Sequence, residues 1–372
     1  MKKYFILFIL LFLARENFIF ASTQKTVSQQ NFVREHKESI EAGGISEINI
    51  SIHSGNISIA GSSGSEITVT LRKTISGQSK DVADTLFDMI NFGYSNDSGL
   101  LTFRTKINGT IDTIKRVNEL IKKSSFLTDV EILVPQGLTV SASSLKGDIR
   151  AYNLKNGVTA STMSGNINIE EVKNDINVYA IKGNLYSTKT TGNFVASLYE
   201  GKISIKNVLG KINADNNKGD IIITDATGNI NSKSVSGDIF LSNINGNIVS
   251  DSIKGKIRIN SSLGSLDAKS EKGSIETRNI VLGEADKLSL VSMDGDLSAG
   301  LSDSISGNIN ATTKSGIIKN DFDIKTSSGT LIGLKPRSNS LVGFLNMEKN
   351  GKNEVLLTTI NGNIILKKQK TK

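Results

Sequence analysis

Residues 218–239 read KGDIIITDATGNINSKSVSGDI, and this stretch decides the fold. Its glycines, Gly219, Gly228 and Gly237, are nine residues apart, and each is followed two residues later by isoleucine. The same spacing of glycine runs from Gly183 to Gly273. A short fixed period is the signature of a repeat architecture, in which each unit packs only against its neighbours. The chain is therefore predicted to be a stack of short repeats.

Alternate glycines differ in their surroundings, so the true period is eighteen. One series is mostly preceded by a charged residue, as at Lys182, Glu200 and Lys218, and the other by a neutral one. Four residues after the glycine, the first series often has a large apolar residue and the second a small one: Ile205, Ile223, Leu241 and Ile259 against Ala196, Ala214, Ser232, Ser250 and Ala268. Large inward side chains facing small ones would fill a thin core without voids.

The pattern between glycines predicts strands. Apolar and polar residues alternate there, as in a strand with one buried face. A helix is excluded, because a glycine in its interior costs about 1 kcal/mol each time. The predicted fold class is all-β: a β-solenoid or β-helix with two short strands per coil of about eighteen residues, plus a mixed N-terminal cap with one or two inserted helices. The regular part is expected from 147 to 275.

The chain divides by pattern into four parts. These are a signal peptide at 1–22, an N-terminal β-rich cap with helical insertions at 23–140, solenoid repeats at 141–329 and C-terminal cap strands at 330–372. Helices are predicted over 79–90 and 111–123 from their apolar stripes. The second helix carries lysine and arginine opposite its stripe, so it either packs into the cap or lies on a membrane surface. We favour the cap, because an open solenoid end exposes strand edges.

The N-terminus predicts export. Lys2 and Lys3 precede an apolar run at 4–13, which fits a secretory signal peptide and is too short for a membrane span. The mature protein is expected in the periplasm, on the cell surface or in the medium. The chain contains no cysteine, which excludes disulfides and thiolate metal sites. No cofactor or metal is expected.

The formal net charge of +8 favours anionic partners, such as an acidic polysaccharide or another cell-surface ligand. The same lysines also keep exposed strands from pairing edge to edge, which is a structural explanation of the charge. Nucleic acid is not expected as a partner, because only 5% of residues are aromatic and no stacking motif is present. Self-association through the solenoid ends is a further hypothesis.

Stacking the sequence at eighteen residues places Lys202, Asp220, Asp238 and Lys256 in one column, the candidate binding face. The two carboxylates would lie about 4.8 Å apart, a separation that resembles the pair of a retaining glycosidase. The flanking lysines favour a compensated ladder of charges instead.

A second column holds Asn193, Asn229 and Asn247, which we interpret as turn residues that tolerate left-handed geometry and form amide ladders between coils, with a sugar-binding face as an alternative. Calcium is disfavoured there, because the doubled glycine and regular aspartate of calcium-binding repeats are missing.

Catalysis is not expected. The two histidines, His36 and His53, lie outside the repeats and have no partner constellation. The alternative is a polysaccharide-binding or polysaccharide-degrading β-helix protein, which would need a groove with converging carboxylates and aromatic residues.

Several motifs carry a family resemblance. Ser164-Gly165-Asn166-Ile167, Ser236-Gly237-Asp238-Ile239 and the Val134-Pro135-Gln136-Gly137 step resemble the "putative adhesin" family of exported bacterial β-strand-repeat proteins. The resemblance covers roughly residues 45–366. It implies a single-chain β-solenoid without assigned catalytic residues. The function expected from it is that of a non-catalytic envelope or cell-surface protein, an adhesin or binding scaffold that uses its solenoid faces.

Overall fold

The computed structural model describes residues 30–122, 125–325, 331–332, 339–346 and 351–370. The predicted signal peptide at 1–22 lies outside these residues. Within these residues, two helices interrupt a succession of strands: α1 (Lys80–Met89) and α2 (Ile111–Lys122). None of the helices in the described part of the chain is long and apolar enough to cross a membrane.

The strands before the regular repeats are β1 (Asn31–Glu41), β2 (Glu47–Ser54), β3 (Ile57–Ser62), β4 (Glu66–Ser76), β5 (Ile90–Asp97), β6 (Leu100–Ile107) and β7 (Ser125–Pro135). The repeats supply β8 (Thr139–Lys146), β9 (Ile149–Leu154), β10 (Val158–Ser164), β11 (Ile167–Val172), β12 (Ile176–Lys182), β13 (Leu185–Thr191), β14 (Phe194–Glu200), β15 (Ile203–Leu209), β16 (Ile212–Lys218), β17 (Ile221–Thr227), β18 (Ile230–Ser236), β19 (Ile239–Asn245), β20 (Ile248–Ser252), β21 (Ile257–Leu263), β22 (Leu266–Ser270), β23 (Ile275–Val281), β24 (Lys287–Ser292) and β25 (Leu297–Ser302). The C-terminal strands are β26 (Gly307–Thr313), β27 (Ile318–Asn320), β28 (Ile324–Lys325), β29 (Leu331–Ile332), β30 (Ser340–Leu345), β31 (Asn353–Thr359) and β32 (Ile364–Gln369).

These strands form two long sheets, and each coil of the chain gives one strand to each sheet. Sheet A has the order β1-β4-β7-β3-β9-β11-β13-β15-β17-β19-β21-β23-β25-β32-β27. Sheet B has the order β5-β6-β2-β8-β10-β12-β14-β16-β18-β20-β22-β24-β31-β26-β30-β28-β29. Neighbouring repeat strands are parallel.

The eighteen-residue coil is confirmed by the register. Ile203 pairs with Ile221 in sheet A, and Ile212 pairs with Ile230 in sheet B, so equivalent residues are eighteen apart. The predicted fold class is correct, including both inserted helices. The spacing first changes after β22, where Leu266 pairs with Leu288 across an insertion at 282–286.

The core is the thin layer between the sheets. Large side chains of sheet A, such as Ile205 and Ile223, are buried, and so are small ones of sheet B, such as Ala196 and Ala214. The sequence predicted this alternation. At the turns, Gly219 has a φ of 129°, and a Cβ added there would overlap the carbonyl group of Gly201 in the preceding coil. Only glycine fits such a position without strain.

Each strand of sheet A from β9 to β23 also contains a left-handed residue in its fifth position. These residues have φ between 53° and 57° and recur every eighteen residues: Asn153, Glu171, Lys189, Asn207, Asp225, Asn243, Ser261 and Asn279. The sequence interpretation of Asn193, Asn229 and Asn247 as left-handed was wrong, because none of the three has positive φ. The ladder expected for this column is present between two of its turns: the backbone N–H of Asn247 donates to Asn229 Oδ1 at 3.2 Å.

The coils do not stack in sequence order at either end. The β2–β3 coil lies between the β6–β7 coil and the β8–β9 coil. The β31–β32 coil lies between the β24–β25 coil and the β26–β27 coil. The stack thus continues into both regions expected to be caps, and the boundaries at 140 and 330 stay predictions.

The helices form a second core against β4 and β7. Leu86 and Phe87 of α1 and Val117 of α2 are buried there with Ile75 and Phe126. In α2 only the C-terminal half of the predicted stripe is covered, since Ile111 is 73% and Ile114 36% exposed.

Candidate functional site

The candidate face from the sequence does form one column. Lys202, Asp220, Asp238 and Lys256 each stand immediately before a strand of sheet A, in successive coils. The Asp238 backbone N–H donates to Asp220 Oδ1 at 2.9 Å, and the Lys256 N–H donates to Asp238 Oδ1 at 2.9 Å. The Lys202 N–H donates in the same way to Asn184 Oδ1 at 2.9 Å.

This column is an asparagine and aspartate ladder that ties successive turns together. It begins at the N-terminal end, where the Asn56 N–H donates to Asp129 at 2.8 Å and the Asp148 N–H donates to Asn56 at 2.9 Å. Asp238 also pairs with Arg258 at 3.1 Å. The two carboxylates are therefore held by backbone donors and a guanidinium. A binding role for the column stays a prediction.

A different surface, on the outside of sheet B, has the shape of a site. Its first wall is an apolar ridge, made of the residues that lie two positions before a turn glycine. They are 38% to 51% exposed and lie in register in nearly every coil: Leu145, Met163, Ile181, Tyr199, Val235, Ile253, Met293 and Ile360. Asn217 and Glu271 interrupt the ridge.

The second wall is a polar ridge, two residues earlier on each strand. It consists of Ser143, Ser161, Tyr179, Ser197, Asp215, Lys233, Asp251 and Lys269. Its N-terminal half is rich in hydroxyl groups and its C-terminal half alternates in charge. A hydrogen bond to Asp267 raises the pKa of Lys269, so its ammonium group remains charged at neutral pH.

The residue between the ridges forms the floor of a groove. These floor residues are buried, and several of their hydroxyl groups donate to glycine carbonyls of neighbouring coils. Ser144 donates to Gly55, Thr162 to Gly147 and Ser270 to Gly255, each at 3.2 Å. The floor is thus fixed by the same bonds that join the coils.

The groove runs lengthwise along the rod. It consists of two adjoining cavities of about 810 and 840 Å³, both of which reach Ala180 and Ser197. The first extends to Asn49, Ser51 and Arg104 at the N-terminal end, and the second extends to Met293. A surface of this kind suits an extended ligand better than a compact one.

Sequence reasoning missed this groove. It noticed the charged residues before the turn glycines, such as Lys182 and Glu200, but passed over the apolar residue before each of these two. Ile181 and Tyr199 occupy outward-facing positions by strict strand alternation, and that parity was the available signal. Among the described residues no group of three or more histidine, aspartate or glutamate side chains could hold a metal ion.

The comparisons with known proteins bear on the stack that carries the groove. A family model described as Toastrack DUF4097 matches residues 187–367. Over this segment, just under half of the chain, the sequence is similar to that family. The match confirms the resemblance that the repeated Ser-Gly-Asp-Ile motifs indicate, and the matched segment includes the groove from β14 onward.

Solved structures similar to the chain carry related descriptions. A "putative cell adhesion protein" from Clostridium sporogenes is 10% identical, with a TM-score of 0.24, and the match covers 91% of this chain and 100% of that one. A "putative adhesin" from Parabacteroides distasonis is 13% identical, with a TM-score of 0.39 and coverage of 72% and 97%. A "putative lipid binding protein" from the same species is 14% identical, with a TM-score of 0.33 and coverage of 70% and 94%. No curated protein matches the chain.

Proposed function

We propose that the protein is an exported, non-catalytic binding scaffold of the cell envelope or surface, which holds an extended polysaccharide in the groove of sheet B. The observation that carries the proposal is the groove itself, with an apolar ridge on one wall and a polar ridge on the other. It passes eleven strands, from β6 to β24, so it is roughly 48 Å long at the usual spacing of about 4.8 Å between strands.

The chemistry of the walls suits sugar rings. A pyranose ring has apolar C–H faces and polar hydroxyl edges, so it needs an apolar support on one side and hydrogen-bonding groups on the other. Met163, Ile181 and Tyr199 offer the support, and Tyr199 adds a flat amphipathic ring. Ser161 and Ser197 offer hydroxyl groups across the groove.

The arrangement favours binding over hydrolysis. The general acid of a glycosidase is a carboxyl group that burial or an acidic neighbour keeps protonated. In the groove, Asp215 is exposed and Asp251 is half-buried, and Lys233 lies in the coil between them. We therefore assign these side chains to ligand contact and solubility.

The test is a binding measurement on the immobilised protein with soluble linear polysaccharides, both neutral and acidic. The variant M163S/I181S/Y199S removes the middle of the apolar ridge. Its matched control is L209S/L263S, which removes two residues that are 56% and 45% exposed on the other side of the rod. We expect the first variant to lose binding and the second to keep it.

Two results contradict the proposal. One is that no polysaccharide binds the wild-type protein, and the other is that the ridge variant binds as tightly as the control. Circular dichroism on both variants checks that the stack is intact.

The cellular location has its own test. If the protein is on the cell surface, protease treatment of intact cells should digest it. A periplasmic marker, the control, should survive the same treatment. Protection until the envelope is opened would place the scaffold in the periplasm, and an adhesive role would then be abandoned.

A further inference from the structure

We infer that the ligand of the groove is an acidic polysaccharide with one anionic group per disaccharide, read by a column of lysines beside the apolar ridge. This inference rests on the proposed function. The lysine column consists of the residues directly after the ridge residues, in the last position before the turn glycine. Lys146, Lys182, Lys218 and Lys254 occupy it in every second coil.

The spacing of these four lysines is regular. Equivalent residues of adjacent coils are about 4.8 Å apart, so the lysines recur at about 9.6 Å along the groove. An extended β-linked disaccharide has about that length. A carboxylate on every second sugar would therefore lie beside an ammonium group at each repeat. An extended polypeptide repeats the side chains on one face at about 6.8 Å, so its charges would not match the spacing of the lysines.

The coils between the lysines do not supply cations. Their residues in this column are Ser164, Glu200 and Ser236. Glu200 lies 3.9 Å from Lys182 and is half exposed, so it would repel an anion placed one sugar away from the lysine contacts. A repulsive group of this kind contributes to specificity by disfavouring the wrong partner. The column thus selects against polymers charged on every sugar.

The lysines are placed to act together with the ridge. The Lys218 ammonium lies 5.6 Å from the centre of the Tyr199 ring, so its charge lies directly beside the apolar ridge that borders the groove. Lys146, Lys218 and Lys254 are exposed, and the described residues show no ion pair to any of them. They remain available for an anionic ligand. Lys272 follows Lys254 in the very next coil, so the regular spacing ends there.

The experiment compares two polymers and moves one lysine. Hyaluronan oligosaccharides carry one carboxylate per disaccharide, and polygalacturonate oligosaccharides of equal length carry one per sugar. The variant K218S/S236K shifts a lysine by one coil without changing composition or net charge. Its matched control, K206S/S204K, moves an exposed lysine on the outer face of sheet A.

We expect the wild-type protein to prefer hyaluronan. The shift variant should weaken hyaluronan binding by about three- to fivefold, the effect of one exposed ion pair, and the control should leave it unchanged. K218Q/K254Q should lose about tenfold or more, because two contacts disappear. Thermal melts of each variant show whether the stack is intact.

Equal binding of the two polymers, or a shift variant that binds hyaluronan as well as wild type, overturns the inference. The proposed function fails separately. Suppose that another polysaccharide binds and that M163S/I181S/Y199S abolishes its binding. The groove is then still the binding site, but the ligand is not a polymer with one anionic group per disaccharide. If no polysaccharide binds at all, the proposed function and this inference are both wrong.

Discussion

Single residues decide how closely the coils approach. At the turns the backbone of one coil faces the next without an intervening side chain, and Gly219 meets the Gly201 carbonyl. At the bend of sheet A, a left-handed residue such as Asn207 turns the strand so that Val208 can also face the core. Asparagine and aspartate tolerate this conformation better than other residues with side chains. The repeat is therefore held in register by backbone geometry as much as by its isoleucines.

The turn glycines predict a sharp difference between two substitutions. Gly219→Ala should destabilise the protein by about 1–3 kcal/mol, because alanine is strained at this φ and its Cβ meets the Gly201 carbonyl. Gly137→Ala should change stability by less than about 0.5 kcal/mol, because nothing lies within 4 Å of the added carbon. Urea unfolding followed by circular dichroism measures both. Equal effects would show that the close approach of the coils does not limit this position.

The ladder at Asp238 predicts which of its two partners matters. Asp238→Asn keeps the Oδ1 acceptor for the Lys256 N–H and loses only the exposed pair with Arg258, so stability should change by less than about 1 kcal/mol. Asp238→Ala leaves the backbone donor without its partner and should cost about 1 kcal/mol more. Thermal unfolding of the two variants and of wild type makes the comparison. An asparagine variant as unstable as the alanine variant would mean that charge, not the acceptor, is what the position needs.

Among the elements, α1 depends on a lysine from the sheet beneath it. Lys73 of β4 is 8% exposed, and its ammonium donates to the carbonyl groups of Phe87 and Ile90 at the end of the helix. Those carbonyls have no partner within the helix, so the side chain supplies what the sequence of α1 lacks. Burial, and next the charge of Arg34, lowers the pKa of Lys73 below its ordinary value of 10.5.

This lowered pKa predicts how stability depends on pH. Between the lowered pKa and 10.5, Lys73 is neutral in the folded protein and protonated in the unfolded chain, so the unfolded chain binds more protons. Raising the pH through this window therefore stabilises the wild-type protein relative to Lys73→Met. Urea midpoints of both proteins between about pH 7 and 11 test this, and a difference that stays constant or reverses would contradict it.

Lys80→Met is the matched control, and the opposite sign is expected. A hydrogen bond to Asp84 raises the pKa of Lys80, so the contribution of that lysine is present below 10.5 and is lost as the pH rises through its folded pKa.

The elements also show where sequence reasoning succeeds. A two-residue alternation and a fixed glycine spacing are local properties, so Ile203, Ile221 and Ile239 could be placed in the core before the structure was known. The groove and the bend at Asn207 could also have been predicted from the eighteen-residue period. This requires comparing the outward-facing residues and the fifth residue of each sheet A strand from coil to coil, as well as the inward-facing ones. The positions of the β2–β3 and β31–β32 coils in the stack could not be predicted. The residue pattern of a coil shows which side chains face the core, but it does not show which coils are its neighbours.

At the scale of the whole molecule, the two ends follow the same plan. Each end places a coil from outside the regular run between two coils that are close in sequence. The connections at Pro135–Thr139 and at Ser302–Gly307 therefore pass over one coil. Terminal units of repeat proteins differ from internal ones because they must cover the open core. Here the last coil also joins two parts of the stack, so its loss affects more than an edge.

This arrangement predicts a contrast between two deletions. A chain that ends at residue 346 lacks β31 and β32, so the β24–β25 coil loses its neighbour and exposes both sheet edges. We expect it to aggregate, whereas deletion of the internal coil at 220–237 should leave a folded monomer, since coils 18 residues apart are equivalent in register. Size-exclusion chromatography with light scattering distinguishes the outcomes. A soluble, monomeric truncated chain would show that β26–β27 can dock directly on β24–β25.

The inserted last coil also sets the order in which the molecule can be completed. A polypeptide that emerges N-terminus first, from a ribosome or through a secretion channel, can stack its middle coils as they appear. The segment at 353–369 emerges after β26 and β27, yet its place is inside the stack, between them and the earlier β24–β25 coil. The β26–β27 coil can therefore reach its final position only after residues 353–369 have emerged. A chain interrupted before residue 353 therefore keeps the sheet edges of the β24–β25 coil open, without the coil that would cover them.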